Sequence, residues 1–249
     1  MAKKAILFPG QGKGNLTQNE IFGISMASYL TREEPYQSEG VSMVAGLSLG
    51  EFAALVAAGV LDYETARKLV ETRQALMEQA AEENHSTMVV ILGLAKEKVE
   101  KICSSVRGRK VGLVVIANYN AKYQQVISGE IGAVEHAVAL AYEKGGKAVR
   151  LKVSGAFHSP LMQSANDKFA KHLQAAEFKP VIIPFYSTVD HQRINDSERI
   201  RRTLMRQMTS PVYWRQTVEQ MILDGATDFV EMEPSGILLP LVEQIRRDM

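Results

Sequence analysis

One apolar stretch, 44-VAGLSLGEFAALVAAGVL-61, sets the strongest limit on how this chain can fold. Its length and hydropathy resemble those of a membrane span, but its three glycines and a central Glu51 argue against burial in lipid. Residues 46–50 also form the pattern Gly-x-Ser-x-Gly, which can place a serine on a tight turn between a strand and a helix. We therefore expect a buried strand and a buried helix here, with Ser48 at the turn between them.

The composition excludes several classes of protein. Of the 249 residues, 46% are hydrophobic and 23% are charged, which is typical of a globular protein. The formal net charge of +1 gives no electrostatic reason to expect nucleic acid or a membrane surface as a partner. A single cysteine, Cys103, can form neither an internal disulfide nor a metal cluster, and the first apolar run is too short for a signal peptide. We expect a cytoplasmic protein without a bound metal.

Short apolar strands alternate with helical patterns along much of the chain, which is typical of an α/β fold with a mostly parallel sheet. The predicted strands are 5–10, 41–46, 181–188 and 228–233, and the predicted helices are 49–59, 63–83, 160–176, 196–208, 211–224 and 237–247.

The middle of the chain follows a different order, βαββαβ, which is that of a ferredoxin-like unit. We predict that the unit is an insert spanning 86–153, and that a large α/β subdomain is formed by 1–85 and 154–249. The predicted strands of the insert are 87–92, 112–118, 123–128 and 147–153, and its predicted helices are 95–106 and 130–145.

Ser48 is a candidate nucleophile. Gly46 and Gly50 remove the Cβ atoms that would clash in so tight a strand–turn–helix, and the turn points the N–H of Leu49 at the reacting oxygen. The alternative is a glycine-flanked serine in an ordinary turn, because a lone pattern of this kind is common.

A serine needs a positioned base to be nucleophilic at neutral pH. Among the five histidines, His158 ends a strand-to-loop segment just before a predicted helix start at Ser159-Pro160. That helix N-terminus disfavours the imidazolium and keeps the ring able to accept a proton. The alternative is a capping or packing histidine, and the sequence alone does not show whether His158 meets Ser48.

Arg73 lies in a gap of the apolar stripe of the predicted helix 63–83. A guanidinium that faces the core has to be paired. Three interpretations stay open: a structural ion pair, a side chain that snorkels to solvent, or a fork for a substrate carboxylate.

Taken together, these residues resemble the malonyl-CoA:acyl carrier protein transacylases, the FabD-like acyltransferases, which include the trans-acting enzymes of polyketide pathways. The resemblance covers nearly the whole chain, through 7-LFPGQG-12, the elbow at 46–51, 118-NYN-120 with 124-QQVISG-129, 153-VSGAFHSPLM-162 and 206-RQMTSPVYW-214. The chain departs from the family at three places: Leu47 replaces the usual histidine, 233-EPSGILLPL-241 replaces a GPG segment, and the region near 13–40 is shortened.

The resemblance implies a hydrolase-like parallel-sheet core with an inserted ferredoxin-like subdomain, and it implies roles for particular residues. Ser48 would be the nucleophile and His158 the base. The backbone N–H groups of Gln11 and Leu49 would form the oxyanion hole, and the backbone carbonyl of Gln207 would orient the histidine. The malonyl group would be bound by Arg73, Met77, Phe157 and Gln18. The Phe157 ring is expected to favour malonyl over methylmalonyl groups, because it would crowd an α-methyl group.

The implied activity is transfer of a malonyl group from malonyl-CoA to the pantetheine thiol of acyl carrier protein, in fatty acid or polyketide synthesis, with no permanently bound cofactor. Two other functions stay open. A serine thioesterase or hydrolase shares the Gly-x-Ser-x-Gly pattern. A degenerate, non-catalytic docking module is suggested by Leu47 and the shortened region.

Overall fold

The computed structural model describes residues 3–10, 16–31 and 40–249. Its strands and α-helices follow one another in the order β1 (Lys3–Phe8), α1 (Gln18–Leu30), β2 (Val41–Gly46), α2 (Gly50–Ala57), α3 (Tyr63–Glu83), β3 (Ser86–Leu92), α4 (Lys96–Gly108), β4 (Val114–Ala121), β5 (Gln124–Glu130), α5 (Ile131–Glu143), β6 (Lys147–Arg150), α6 (Gln163–Ala175), β7 (Phe185–Ser187), β8 (Gln192–Ile194), α7 (Ser197–Leu204), α8 (Trp214–Leu223), β9 (Ala226–Glu231) and α9 (Leu238–Asp248).

The larger sheet has five strands in the order β8-β7-β2-β1-β9, and all its pairings are parallel except that of β7 with the edge strand β8. Alternate residues of β1 point to opposite faces, as the pleat requires. Ile6 and Phe8 pack into a core with α1, α2, α3 and α6, whereas Ala5 and Leu7 pack into a second core with α8 and α9. Both faces are covered, which explains why these strands read as continuous apolar runs.

The smaller sheet is antiparallel, with the order β4-β5-β3-β6. Helices α4 and α5 cover one of its faces, and the core between them includes Val99, Ile102 and Val134. This is the ferredoxin-like arrangement that the order βαββαβ predicts. The fold class is therefore an α/β protein with a parallel-sheet core and a ferredoxin-like subdomain. The division of the chain at 86 and 153 stays a prediction.

The smaller sheet contacts the segment that precedes α8. Tyr119 of β4 donates its N–H to the carbonyl of Val212, at 2.9 Å, and Val212 donates to the carbonyl of Ala117, at 2.8 Å. The rings of Tyr119 and Tyr213 stack with their centroids 5.1 Å apart. These contacts fix the smaller sheet against the segment that precedes α8.

The structure differs from the sequence-based elements at several ends. The predicted strand 181–188 is reduced to β7, since Pro184 has no N–H to donate to a ladder, although its carbonyl still accepts from Val44. The short edge strand β8 was not predicted. The predicted helix 196–208 ends at Leu204 and is followed by a 3₁₀ turn at Gln207–Thr209, and the predicted helix 160–176 opens with a 3₁₀ turn at Pro160–Met162.

The apolar stretch that resembles a membrane span is divided between β2, the elbow and the eight-residue helix α2. Within the described ranges, no helix combines the length and the hydropathy that are needed to cross a bilayer.

Candidate active site

The turn between β2 and α2 holds Ser48 in a strained conformation, with a φ of +53°. A Cβ atom on Gly46 would lie 2.0 Å from the carbonyl carbon of Gly50, and one on Gly50 would lie 2.1 Å from the carbonyl oxygen of Phe8. Neither distance is tolerable between non-bonded atoms, so the tight turn requires glycine at both positions. The turn brings the Ser48 hydroxyl to the edge of a cavity at the carboxyl end of β2.

The structure brings Ser48 and His158 together. Ser48 Oγ lies 2.7 Å from His158 Nε2, and on its other side His158 Nδ1 lies 3.0 Å from the Gln207 carbonyl and 3.1 Å from the Ser210 carbonyl. Because carbonyl oxygens only accept, Nδ1 carries the ring proton and donates it, which leaves Nε2 free to accept from the Ser48 hydroxyl. This is the protonation state that a general base for Ser48 needs.

The pKa of His158 is lowered to about 4, because burial and, to a lesser extent, the nearby cationic Arg73 outweigh the two carbonyl hydrogen bonds, which raise it. The ring is therefore neutral at physiological pH. The sequence predicts that a helix N-terminus keeps the ring neutral. In the structure a 3₁₀ turn follows the histidine, and burial is the largest cause of the lowered pKa.

Arg73 points its guanidinium at Ser48 from the inner face of α3, and its side chain is only 1% exposed. It donates from Nη2 to Ser48 Oγ at 3.0 Å, from Nη1 to Gln18 Oε1 at 2.8 Å and from Nε to Gln207 Oε1 at 3.2 Å. Burial lowers the pKa of Arg73 to about 10, so the group is still a cation at neutral pH.

All three acceptors of Arg73 are neutral, and within the described residues no carboxylate lies at ion-pair distance from it. The buried Glu51 carboxylate raises the pKa of Arg73 somewhat but makes no ion pair with it, and a buried cation without an ion pair is costly unless a ligand supplies a closer charge. Of the three interpretations left open by the sequence, this geometry favours a fork for an anionic substrate.

A cavity of about 580 Å³ lies in front of Ser48, between the two sheets. Met88, Val90 and Val126, on the face of the smaller sheet that α4 and α5 leave uncovered, form one wall. The opposite wall contains nearly all of the sequence-predicted site residues that the structure describes: Gln18, Ser48, Leu49, Arg73, Met77, Phe157 and His158. The volume is that of a site for a small-molecule substrate.

Comparison with known proteins decides the family. A family model described as "Acyl transferase domain" matches residues 16–248, which is almost the whole chain. The chain belongs to this acyl transferase family.

Two sequence relatives of this acyl transferase carry the name malonyl CoA-acyl carrier protein transacylase. The protein from Haemophilus influenzae is 38% identical over 234 residues, which are 94% of this chain and 74% of the relative. The protein from Bacillus subtilis strain 168 is 36% identical over 217 residues, which are 86% of this chain and 68% of the relative. Part of each relative is therefore unmatched, and whether the shortening falls near 13–40 stays a prediction.

Solved structures of the same family superpose closely. The malonyl-transacylase PlMCAT, solved in complex with the type II polyketide acyl carrier protein AntF, gives a TM-score of 0.91 at 31% identity and covers 99% of this chain and 94% of that chain. An acyl carrier protein S-malonyltransferase from Vibrio cholerae gives 0.90 at 32% identity, with the same coverage. These are enzymes, and this acyl transferase shares their fold.

The predicted oxyanion hole is only partly visible. In the first turn of α2, the N–H groups of Gly50, Glu51 and Phe52 donate to the carbonyls three residues earlier, and the Leu49 N–H precedes these bonds at the open end of the helix. Gln11, the predicted second donor, lies outside the described residues.

Leu47, where the sequence departs from the family, is partly buried and packs against the core that contains Leu238 and Leu241. Its N–H donates to the carbonyl of Phe8 at 3.0 Å, and this hydrogen bond joins the elbow to β1. Its side chain lines the cavity. No cluster of three or more metal-ligating side chains occurs in the part of the chain that the structure describes.

Two features of the site have no signal in the sequence. Ser210 supplies a second carbonyl to His158, which no pattern of residue types indicates because any residue has a carbonyl. The prediction for Gln207 concerned only its backbone carbonyl. Its side chain, however, is 1% exposed and contacts Arg73 and the elbow. Gln207 does not border the cavity itself.

Proposed function

We propose that this acyl transferase moves a malonyl group from malonyl-CoA to the pantetheine thiol of an acyl carrier protein through a malonyl ester on Ser48. One observation carries the proposal: the Ser48 hydroxyl lies between a neutral imidazole at 2.7 Å and a cationic guanidinium at 3.0 Å. The first activates a nucleophile and the second selects an acyl group with a negative charge. The names of the relatives support this choice.

In the first half-reaction, His158 Nε2 takes the proton of Ser48 as Oγ attacks the thioester carbonyl. The backbone N–H groups of Leu49 and Gln11 are the proposed donors to the oxyanion. As the tetrahedral intermediate collapses, the carbon–sulfur bond breaks and His158 returns the proton to the CoA sulfur. The Gln207 and Ser210 carbonyls hold the ring in place, because they accept from Nδ1 throughout.

In the second half-reaction, the pantetheine thiol of the carrier protein takes the place of CoA. His158 accepts the thiol proton, the sulfur attacks the malonyl ester, and Ser48 leaves with its proton restored. No permanently bound cofactor is needed for these steps. A solved relative is titled as a complex with an acyl carrier protein, which supports this second substrate for the present chain. The pathway, fatty acid or polyketide, and the cytoplasmic location stay predictions.

Arg73 and Phe157 are proposed to select the acyl group. The malonyl carboxylate would accept from the Arg73 fork, with Gln18 and Met77 beside it on the cavity wall. Phe157 precedes the base and borders the same cavity, so its ring would crowd an α-methyl group. A steric difference of one methyl group is worth about 1–3 kcal/mol, or roughly 10–200-fold in kcat/KM.

The test is incubation of the protein with malonyl-CoA and a carrier protein in its pantetheine-bearing and pantetheine-free forms. We expect malonyl-carrier protein with the first form only, and little free malonate. Release of free malonate as the main product, at the same rate with either form, would show a thioesterase instead. Formation of neither product would show a non-catalytic protein.

A further inference from the structure

A buried carboxylate lies directly behind the site and has no part in the proposed acyl transfer. Glu51 is in the first turn of α2, three residues after Ser48, and it is 0% exposed. Its Oε1 accepts from Thr188 N at 2.7 Å, Thr188 Oγ1 at 3.0 Å and Ser187 Oγ at 3.3 Å, and its Oε2 accepts from Gln207 Nε2. Four donors therefore converge on one acceptor group.

The Gln207 amide carries this arrangement forward to the active site. Its Nε2 donates both to Glu51 and to the backbone carbonyl of Ser48, at 3.0 Å from the latter. Its Oε1 is thereby turned to the opposite side, where it accepts from Arg73 Nε at 3.2 Å. The two ends of an amide are interchangeable in shape but not in hydrogen bonding, so the partner of one end decides which end faces the other side.

We propose that Glu51 is a positioning residue that sets the direction of the Arg73 fork through the Gln207 amide. The inference rests on the proposed function in one respect, because it takes Arg73 to hold the acyl carboxylate. Glu51 and the Ser48 carbonyl only accept, and together they oblige Gln207 to present its NH₂ inward and its oxygen to Arg73. That contact holds Arg73 Nε and leaves Nη2 at the cavity beside Ser48.

The competing explanation is that Glu51 only links α2 to the end of β7. Glu51→Gln separates the two, because it keeps the shape but replaces the carboxylate by a neutral amide with a donor at one end. The loss of a nearby negative charge would by itself favour the anionic malonyl group, so a fall in malonyl transfer cannot come from the charge alone. The donors of Ser187 and Thr188 would take the oxygen of the new amide, and its NH₂ would face Gln207. Gln207 would then either hold its NH₂ against the NH₂ of residue 51, or turn over, set its oxygen against the Ser48 carbonyl and present its own NH₂ to the Arg73 N–H. Either arrangement contains an unfavourable contact and weakens the support of the fork.

The experiment measures kcat/KM for malonyl-CoA and for acetyl-CoA with the same carrier protein. Rates are divided by the fraction of molecules that can be acylated on Ser48, so that misfolded protein does not count. For Glu51→Gln we expect the malonyl-to-acetyl ratio to fall by about 10-fold or more, since a hydrogen bond to a charged group is lost. The matched control is Glu64→Gln, an exposed carboxylate on α3, which should leave the ratio unchanged.

A double-mutant cycle with Gln207→Met tests the route of the effect. If Glu51 acts through Gln207, Glu51→Gln should change the ratio no further once the amide is gone. Additive losses, or an equal loss for both acyl groups in Glu51→Gln, would overturn the inference and leave Glu51 a structural residue.

Two further outcomes are distinguishable. If the wild type itself forms no malonyl ester, the proposed function fails before this inference is reached. If Glu51→Gln yields no folded protein, Glu51→Asp keeps the charge but withdraws the carboxylate from the Gln207 NH₂ by one methylene group. We then expect the ratio to fall at least twofold, and an unchanged ratio overturns the inference.

Discussion

Replacement of Arg73 by alanine is the perturbation whose effect follows most directly from the geometry of the site. The guanidinium donates to three neutral oxygens and forms no ion pair among the described residues, so a malonyl carboxylate would be the first carboxylate in direct contact with it. Each hydrogen bond between charged groups contributes about 1.5–3 kcal/mol. Two bonds that share one charge are not fully additive, and together contribute about 3–4 kcal/mol, or roughly 10²–10³-fold in kcat/KM.

The assay compares malonyl-CoA with acetyl-CoA, which has no carboxylate. For Arg73→Ala we expect the malonyl loss to be that large, and the acetyl loss to stay below about 10-fold, because only packing and the partners of Gln18 and Gln207 are disturbed. Arg67→Ala is the matched control, since Arg67 lies on the same helix but is exposed and pairs with Glu64 and Glu71. Equal losses for the two acyl groups would refute the fork and make Arg73 a structural residue.

Four further predictions concern the base, the elbow and the acyl pocket. Because the pKa of His158 is lowered to about 4, the acidic limb of the kcat/KM profile should lie well below pH 6.5, and a limb at 6.5 would contradict a buried neutral base. Between about pH 6.5 and 4, His158 is protonated in the unfolded chain but not in the folded protein. The free energy of unfolding should therefore fall by up to about 3 kcal/mol as the pH is lowered through this range. Urea titrations should show a weaker pH dependence for His158→Asn. Gly50→Ala should destabilise the protein by more than about 4 kcal/mol or prevent folding, because its Cβ would overlap the Phe8 carbonyl. The control is Gly132→Ala in α5, where the added Cβ would meet no atom, and thermal melts should show it to be neutral or stabilising. Phe157→Ala should raise the methylmalonyl-to-malonyl ratio of kcat/KM by about 10-fold, and an unchanged ratio would remove Phe157 from acyl selection.

The parts of the fold that the sequence predicted well are those with strong local signals. Strand β2 and helix α3 have the predicted ends, 41–46 and 63–83, because Gly46 ends one and Asp62 caps the other through the N–H of Thr65. The order βαββαβ also predicted the antiparallel sheet. The predicted ends of elements that are wrong lie where proline or a 3₁₀ turn replaces regular structure, as at Pro184 and at Gln207–Thr209.

The candidate site shows a similar division. The glycines at the elbow and the arginine in an apolar stripe were visible as local exceptions to a pattern. The contact of Ser48 with His158 joins residues 110 apart in the chain, and only the fold brings them together. Glu51 carried a signal that was used only to reject a membrane span: a carboxylate inside an apolar run has to find donors, and it finds them in Ser187, Thr188 and Gln207.

Ser48 is the residue proposed to carry the acyl group, and the intact mass of the protein after incubation with malonyl-CoA tests this role directly. We expect one malonyl adduct on the wild type, located on the peptide that contains Ser48 and removed by added carrier protein with its pantetheine. We expect no adduct on Ser48→Ala. An adduct of the same stoichiometry on Ser48→Ala, or a wild-type adduct located on another residue, would show that Ser48 is not the nucleophile.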